Sequence, residues 1–476
     1  MGYKTTIGLE VHVELKTESK VFCGCSTAFG QEPNTQVCPV CLGLPGALPV
    51  LNKKALEYII AVGLALNCEI NEDTKFDRKN YHYPDLPKAY QISQYDKPVA
   101  KNGYLDIEVD GKIRRIGITR VHLEEDTGKA IHGEDGSYLD FNRSGVPLIE
   151  IVSEPDLESP EEARLYLNKL KNIIAYTGVS DVKMEEGSLR CDANISLRPE
   201  GTEEYGNVVE VKNMNSFRSV KKALEYEEIR QAELLDMGQE IVRETRHWQE
   251  TEGYTFSSRS KEEAHDYRYF PEPDLVPMSI SKEQIERIRE SMPELPDQKK
   301  ERFVSSYGLP VYDAEVLTES KELASLFEDI VASFNQPKKV SNWLMGEVLR
   351  LLKDGGQELA DMPLKSEDIV ELLKLVDNDT ISNSAGKVVF EEMFKTGKKA
   401  MVVIEEKGLK QISDKEELVA LVRDVLNKNE GQVNDYHNGK EKLFGFFVGQ
   451  VMKISKGKAN PGLVNEILTE ELNRLK

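Results

Sequence analysis

Several common features are missing from this chain of 476 residues. No apolar run reaches the roughly 18 residues that a membrane-crossing helix needs. The start of the chain lacks the basic-then-apolar pattern of a secretory signal. Both absences lead to the expectation of a soluble, cytoplasmic protein with no membrane partner. Cysteine is scarce, with six residues in all, and does not suggest a disulfide scaffold in a chain this long. Basic residues are outnumbered, 62 Lys and Arg against 83 Asp and Glu, for a net charge of −21. That balance argues against coating nucleic acid with the whole surface, but leaves room for a local basic patch. There is no G-x-x-x-x-G-K-[ST] loop, so any use of ATP is not of the P-loop kind. There is also no G-x-S-x-G elbow, and no cysteine obviously paired with a histidine for amide hydrolysis.

The most informative stretch that is present is Ile7 to Leu15, IGLEVHVEL. Leu9, Val11 and Val13 alternate with Gly8, Glu10, His12 and Glu14, which is the period of a half-buried β-strand. Glu10 and His12 leave the same face. A carboxylate beside an imidazole can ligate a divalent metal or do acid–base work. A polar, solvated outer face is the competing interpretation.

Cys23, Cys25, Cys38 and Cys41 follow, as CGC and CPVC with twelve residues between the pairs. Two close thiolate pairs joined by a short loop can close a tetrahedral Zn²⁺ site. Four cysteine ligands leave no open position, so such a zinc is structural. Lys54 to Asn67 has the periodicity of a helix. Phe76 to Pro98 is dense in Arg, Lys, Tyr and His, and its prolines prevent a long helix. Arg78, Lys79 and Lys88 are candidates for phosphate or carboxylate contacts. Tyr81, Tyr83 and Tyr90 can stack on a base or simply pack.

Residues 103–120 have the pattern of a β-hairpin turning at Asp110-Gly111. The second strand runs into Glu124, Glu125 and Asp126, with His122 just before. Glu150, Asp192 and Glu210 lie on further strand-like segments. If these strands share a sheet, their acids can converge with Glu10 and His12. Such a cluster repels itself unless a cation neutralises it, which points to Mg²⁺. Helices are expected from the capping box at Ser159 to a stop at Gly178, and from Ser219 to Met237.

After about residue 290 the pattern becomes helical, with a strong amphipathic helix at Lys338 to Lys353. A small helical tail begins near 410, with a capping box at Ser413. Lys440, Lys442, Lys453, Lys456 and Lys458 reverse the sign of charge locally. That suits phosphate-backbone contact or ordinary solubility.

The motifs IGLEVHVEL, FDRKNYHYPDLPKAYQISQ, HLEEDTGK, PLIEIVSEPD, VKMEEGSLRCDANIS and SNWLMG together resemble the GatB family, the B subunits of the glutamyl/aspartyl-tRNA amidotransferases, over essentially the whole chain. The resemblance implies an α+β architecture in three parts. These are a β-rich cradle with a zinc knuckle at 1–292, an all-α domain at 293–408, and a small α-helical tail contacting tRNA at 409–476. It implies ATP-dependent phosphorylation of the side-chain carboxylate of Glu-tRNA(Gln) or Asp-tRNA(Asn). Amidation follows, with ammonia from an amidase (glutaminase) subunit, in a heterotrimer completed by a small third subunit. It implies Glu10, His12, Glu125 and Glu150 as the catalytic centre, with Asp192 beside them. His12, Glu125 and Glu150 are the expected Mg²⁺ ligands. Arg78, Lys79, Lys88 and Glu210 are the expected cofactor contacts. Two rival interpretations are a non-catalytic, zinc-stabilised tRNA-binding adaptor and a stand-alone metal-dependent hydrolase.

Overall fold

The computed structural model describes residues 2–133, 135–260, 267–412, 414–455 and 457–475, without the side chains of His132, Arg259 and Ser260. It is α+β and divides into two compact units, Met1–Pro296 and Asp297–Lys476.

The first unit is built on a nine-stranded sheet. Its order is Tyr254–Ser260, Glu244–Gln249, Val209–Lys212, Leu189–Pro199, Tyr3–Glu14, Pro147–Ser153, Lys112–Glu125, Ala100–Val109 and Glu69–Ile70. All neighbours are antiparallel except Val209–Lys212 with Glu244–Gln249. The strand that opens the chain is therefore at the centre. The hairpin turn at Asp110-Gly111 forms as expected, with both residues at positive φ (50° and 75°), as a tight two-residue turn between right-twisted strands requires.

Alternation decides what each face of the sheet does. Ile7, Leu9, Val11 and Val13 are fully or almost fully buried. They share one core with Val121, Leu123, Ile149, Ile151, Cys191, Ala193 and Ile195 of the neighbouring strands. Helices Lys53–Ala65, Pro160–Thr177, Phe217–Asp236 and Lys282–Ser291 contribute to that core. The second of these starts on Ser159, whose side chain accepts from the Glu162 amide, and ends on Gly178 at φ 75°. Both features match the expected cap and stop. The other face of the sheet carries the polar residues.

The second unit is helical among its described residues. The expected helix at 338–353 forms but is not regular. A π turn, Leu344–Val348, separates Pro337–Trp343 from Leu349–Gly355. The helix Lys415–Lys428 is capped by Asp414, which accepts from the Glu416 and Glu417 amides. Ser413, the expected cap, lies outside the described residues. Helices Lys415–Lys428, Leu443–Ile454 and Pro461–Arg474 share a core made of residues such as Leu418, Val422, Phe447, Val451 and Ile467. No helix among the described residues is long and apolar enough to cross a membrane.

Leu9 is 1% exposed at the centre of the sheet. Leu9→Ala is expected to cost about 3 kcal/mol of stability. Urea unfolding of the two forms, compared at equal slope, measures it.

Candidate functional site

Register brings the polar side chains together. His12 pairs with Glu150 on one side and Arg190 on the other. Glu150 pairs with His122 on the next strand. Residues directly opposite share a face, and Glu124 follows His122 on it by period two. The result is a compact group. His12 Nε2 lies 3.3 Å from Glu150 and 3.7 Å from Glu124. His122 Nε2 lies 3.7 Å from each of the same carboxylates. One ligand atom each from His12, Glu124 and Glu150 falls within 4.8 Å of the others.

The group carries its own counter-charge. Burial would raise the Glu150 carboxyl, but His122, His12 and Lys79 hold it well below the usual carboxylate range. Burial likewise opposes ionisation of Glu124, and His122 and Lys79 hold it down. Lys79 is pressed down by burial, yet Glu124 and Glu150 keep its ammonium charged far above the usual value. Repulsion among the acids is thus relieved by the chain's own cations as well as by any metal.

Glu125 is not in this group. Its neighbour Glu124 occupies the expected place, because adjacent residues of a strand point to opposite faces. Glu125 bonds instead to Lys88 Nζ and accepts the Ile92 amide at 2.9 Å. That also accounts for Lys88, which is 8% exposed at its side chain and held by the carboxylate. Arg78 is committed too. It makes two bonds of 2.8 and 2.9 Å to Glu272, a carboxylate with no exposed side-chain surface. Of the three basic candidates only Lys79 stands by the acids.

Glu10, Asp192 and Glu210 form a second row on the same face. Glu10 pairs with Asp192 and accepts a 2.9 Å bond from Asn194. Asn194 pairs with Glu210. Lys212 bonds to Asp192 and stands 3.3 Å from Glu210. Burial first, then Glu150, raises the Glu10 carboxyl. Glu14, at the end of the same strand, is pushed up to about 8 by burial and by Asp126. The acids at 124–126 are no solvated run, since all three are at most 4% exposed. His122, Glu124 and Lys212 are the residues that sequence patterning undervalued. The signal for the first two was the alternation of His122 with Glu124 beside a strand end.

Cys23, Cys25, Cys38 and Cys41 also come together, each offering a sulfur within 4.8 Å of the others. The Cys38 amide donates to Cys41 Sγ at 3.2 Å, and the fully buried Lys20 ammonium reaches it at 3.5 Å. The Cys23 thiol, that amide and Lys20 hold the Cys41 thiol down to about 4. Four convergent sulfurs with an ammonium beside them fit Zn²⁺, whose tetrathiolate complex is anionic. Cys68 and Cys191 are separate and buried.

Known proteins match the chain over its whole length. Residues 5–286 match the model of the GatB/GatE catalytic domain, and residues 325–472 match that of the GatB domain. The chain belongs to the GatB family. A relative from Caldanaerobacter subterraneus subsp. tengcongensis is 61% identical over 475 residues, covering 100% of both chains. One from Thermoanaerobacter sp. (strain X514) is likewise 61% identical with 100% coverage of both. One from Carboxydothermus hydrogenoformans is 59% identical and covers 99% of each. All three are named as the B subunit of an aspartyl/glutamyl-tRNA(Asn/Gln) amidotransferase.

Two outcomes follow. Protein refolded with zinc under reducing conditions is expected to hold about one Zn²⁺ per chain, and Cys41→Ser to lose it with a lower Tm. Elemental analysis and calorimetry measure both. Glu14 keeps its proton in the folded chain up to about pH 8, while the unfolded chain loses it near the ordinary carboxyl value. The folded state then binds more protons across that window, so stability falls as pH rises through it. Glu14→Gln is expected to reduce that fall, seen as a flatter Tm profile between about pH 5 and 8.

Proposed function

We propose that this chain is the B subunit of an ATP-dependent, glutamine-hydrolysing aminoacyl-tRNA amidotransferase. Its partners are the amidase (glutaminase) subunit and the small third subunit of a heterotrimer, and its setting is translation in the cytoplasm. The substrate is Glu-tRNA(Gln) or Asp-tRNA(Asn). Its side-chain carboxylate attacks the γ-phosphorus of ATP, giving an acyl phosphate and ADP. Ammonia released from glutamine by the amidase then attacks the acyl carbon, and phosphate leaves. The products are Gln-tRNA(Gln) or Asn-tRNA(Asn). The observation that carries this reading is the His12–Glu124–Glu150 group on the polar face of the sheet, inside the segment that matches a catalytic domain.

Phosphoryl transfer asks for positioning and charge neutralisation more than for covalent groups. Lys79 supplies a half-buried cation beside the acids, suited to phosphoryl oxygens. Glu124 and Glu150, with His12 adjoining, would hold Mg²⁺, which takes one or two carboxylates from protein. When bound, that ion neutralises charge on the transferring group. Glu10, Asp192 and Glu210 fix Lys212, and so border the site with a second cation. Glu125 acts through Lys88 rather than as a ligand. The chain has three parts in this reading, with a division near 409 inside the second unit. The tail beyond it contacts tRNA through basic residues such as Lys453 and Lys458. Lys456 belongs to that stretch and lies outside the described residues.

The test is a three-way assay on the reconstituted trimer, following ATP turnover, amidated tRNA and glutamate release. His12→Ala and Glu124→Ala are expected to abolish the first two and leave basal glutamate release and tRNA binding. Near-normal ATP turnover in either folded variant would favour the adaptor instead.

A further inference from the structure

A chain of tyrosine rings runs beside the acid–histidine group, and the proposed chemistry does not use it. Tyr83 meets Tyr81 edge to face at 6.1 Å, and Tyr81 meets Tyr267 at 6.0 Å. Tyr267 meets Tyr269 at 6.0 Å, and Tyr269 stacks on Tyr95 at 4.4 Å and 14°. The rings come from two distant segments. Asn80 joins them, its backbone amide donating to Tyr267 O at 2.9 Å and its side chain to Arg268 O at 2.9 Å.

Burial alone does not explain these rings. Tyr83 is 57% exposed, Tyr95 62% and Tyr267 38%. The Lys79 ammonium lies 5.0 Å from the Tyr267 centroid and 5.9 Å from that of Tyr81. The inner rings also adjoin the acids. Burial first, then Glu124 and Glu150, push the Tyr269 phenol up to about 12 against the pull of Lys79. The middle of the array is thus at the reacting groups, and exposed rings lead away from it on either side.

We propose that this array is a stacking platform for the unpaired nucleotides at the 3′ end of the aminoacyl-tRNA. The inference rests on the function proposed above, which requires that end to reach Glu124 and Glu150. Aromatic faces hold bases of a single strand whatever their sequence. Stacking also needs no cationic surface, which a chain of net charge −21 supplies sparingly. A single adenine, as in ATP, covers one or two rings, whereas this array is exposed at both of its ends. Successive bases match it better.

The experiment uses the reconstituted assembly and the double variant Tyr83→Ala/Tyr95→Ala, with Tyr83→Phe/Tyr95→Phe as its control. Both sites are exposed ring ends, and the phenylalanines keep the π faces. Affinity is measured for tRNA with its 3′ end intact and for tRNA trimmed of its unpaired 3′ nucleotides. The alanine pair is expected to weaken binding of intact tRNA on the order of tenfold. It is expected to leave trimmed tRNA and the KM for ATP unchanged, and the phenylalanine pair to restore binding. Equal losses for both tRNAs, no loss for either, or a raised KM for ATP with tRNA binding unchanged would each overturn it. The last outcome would assign the rings to the adenine of ATP. Amidation by the wild-type assembly is scored separately. Its absence would remove the proposed function, whereas the binding comparison judges the platform.

Discussion

The alternation of the central strand is the constraint on which the rest of the first unit depends. Tyr3–Glu14 pairs with Leu189–Pro199 along Tyr3–Val13 and with Pro147–Ser153 along Glu10–Glu14, so the part that carries Glu10 and His12 has a neighbour on each side. Ile7, Leu9, Val11 and Val13 are committed to the core, so Gly8, Glu10, His12 and Glu14 have to face the other way. A shift of one residue would bury Glu10, His12 and Glu14 among aliphatic side chains and expose Leu9 and Val11. The hydrophobic effect on one face therefore holds the polar face in place. His12 meets Glu150 because Leu9, Val11 and Val13 are anchored beneath.

The same logic accounts for a buried site so rich in acids. An isolated buried carboxylate is costly, and several together are worse. Here the sheet delivers histidines in the same rows as the acids, and Lys79 arrives from the short strand Asp77–Asn80. The group is therefore pre-assembled in a charged, solvent-poor setting. Donors already oriented before substrate arrives are those that help most when charge moves in a transition state. The cost is local, since each of these groups is held against its tendency to neutralise.

Charge compensation also separates the groups that hold the fold from those free for chemistry. Arg78 with Glu272 and Lys88 with Glu125 are saturated pairs with little exposed side-chain surface on the acid. Breaking either leaves a buried charge alone. The cysteine knuckle leans on the second pair. A Cβ on Gly43 would fall 3.2 Å from Lys88 Cα, and one on Gly145 would reach both Cys41 Cβ and Glu125 Oε1 within 4 Å. The knuckle and the Lys88–Glu125 pair are therefore packed as one block.

Much of this was determined by the sequence alone. Period-two alternation located the central strand, the Asp-Gly pair located the hairpin, and Ser159 with Gly178 bounded a helix. The paired spacing of four cysteines indicated their convergence. These are local properties, settled by backbone stereochemistry and by neighbours a few residues apart. Tertiary structure decided the rest. Glu124 and Glu125 are adjacent and chemically alike, and only the pairing of Glu150 with His122 determines which one faces His12. Arg78, Lys79 and Lys88 look equivalent in a row, yet two are matched to acids at Glu272 and Glu125, and one is left beside the site. The tyrosines of 81–95 gain their run only when Tyr267 and Tyr269 return from nearly two hundred residues away. Contacts between distant segments depend on strand order and register, which no local pattern encodes.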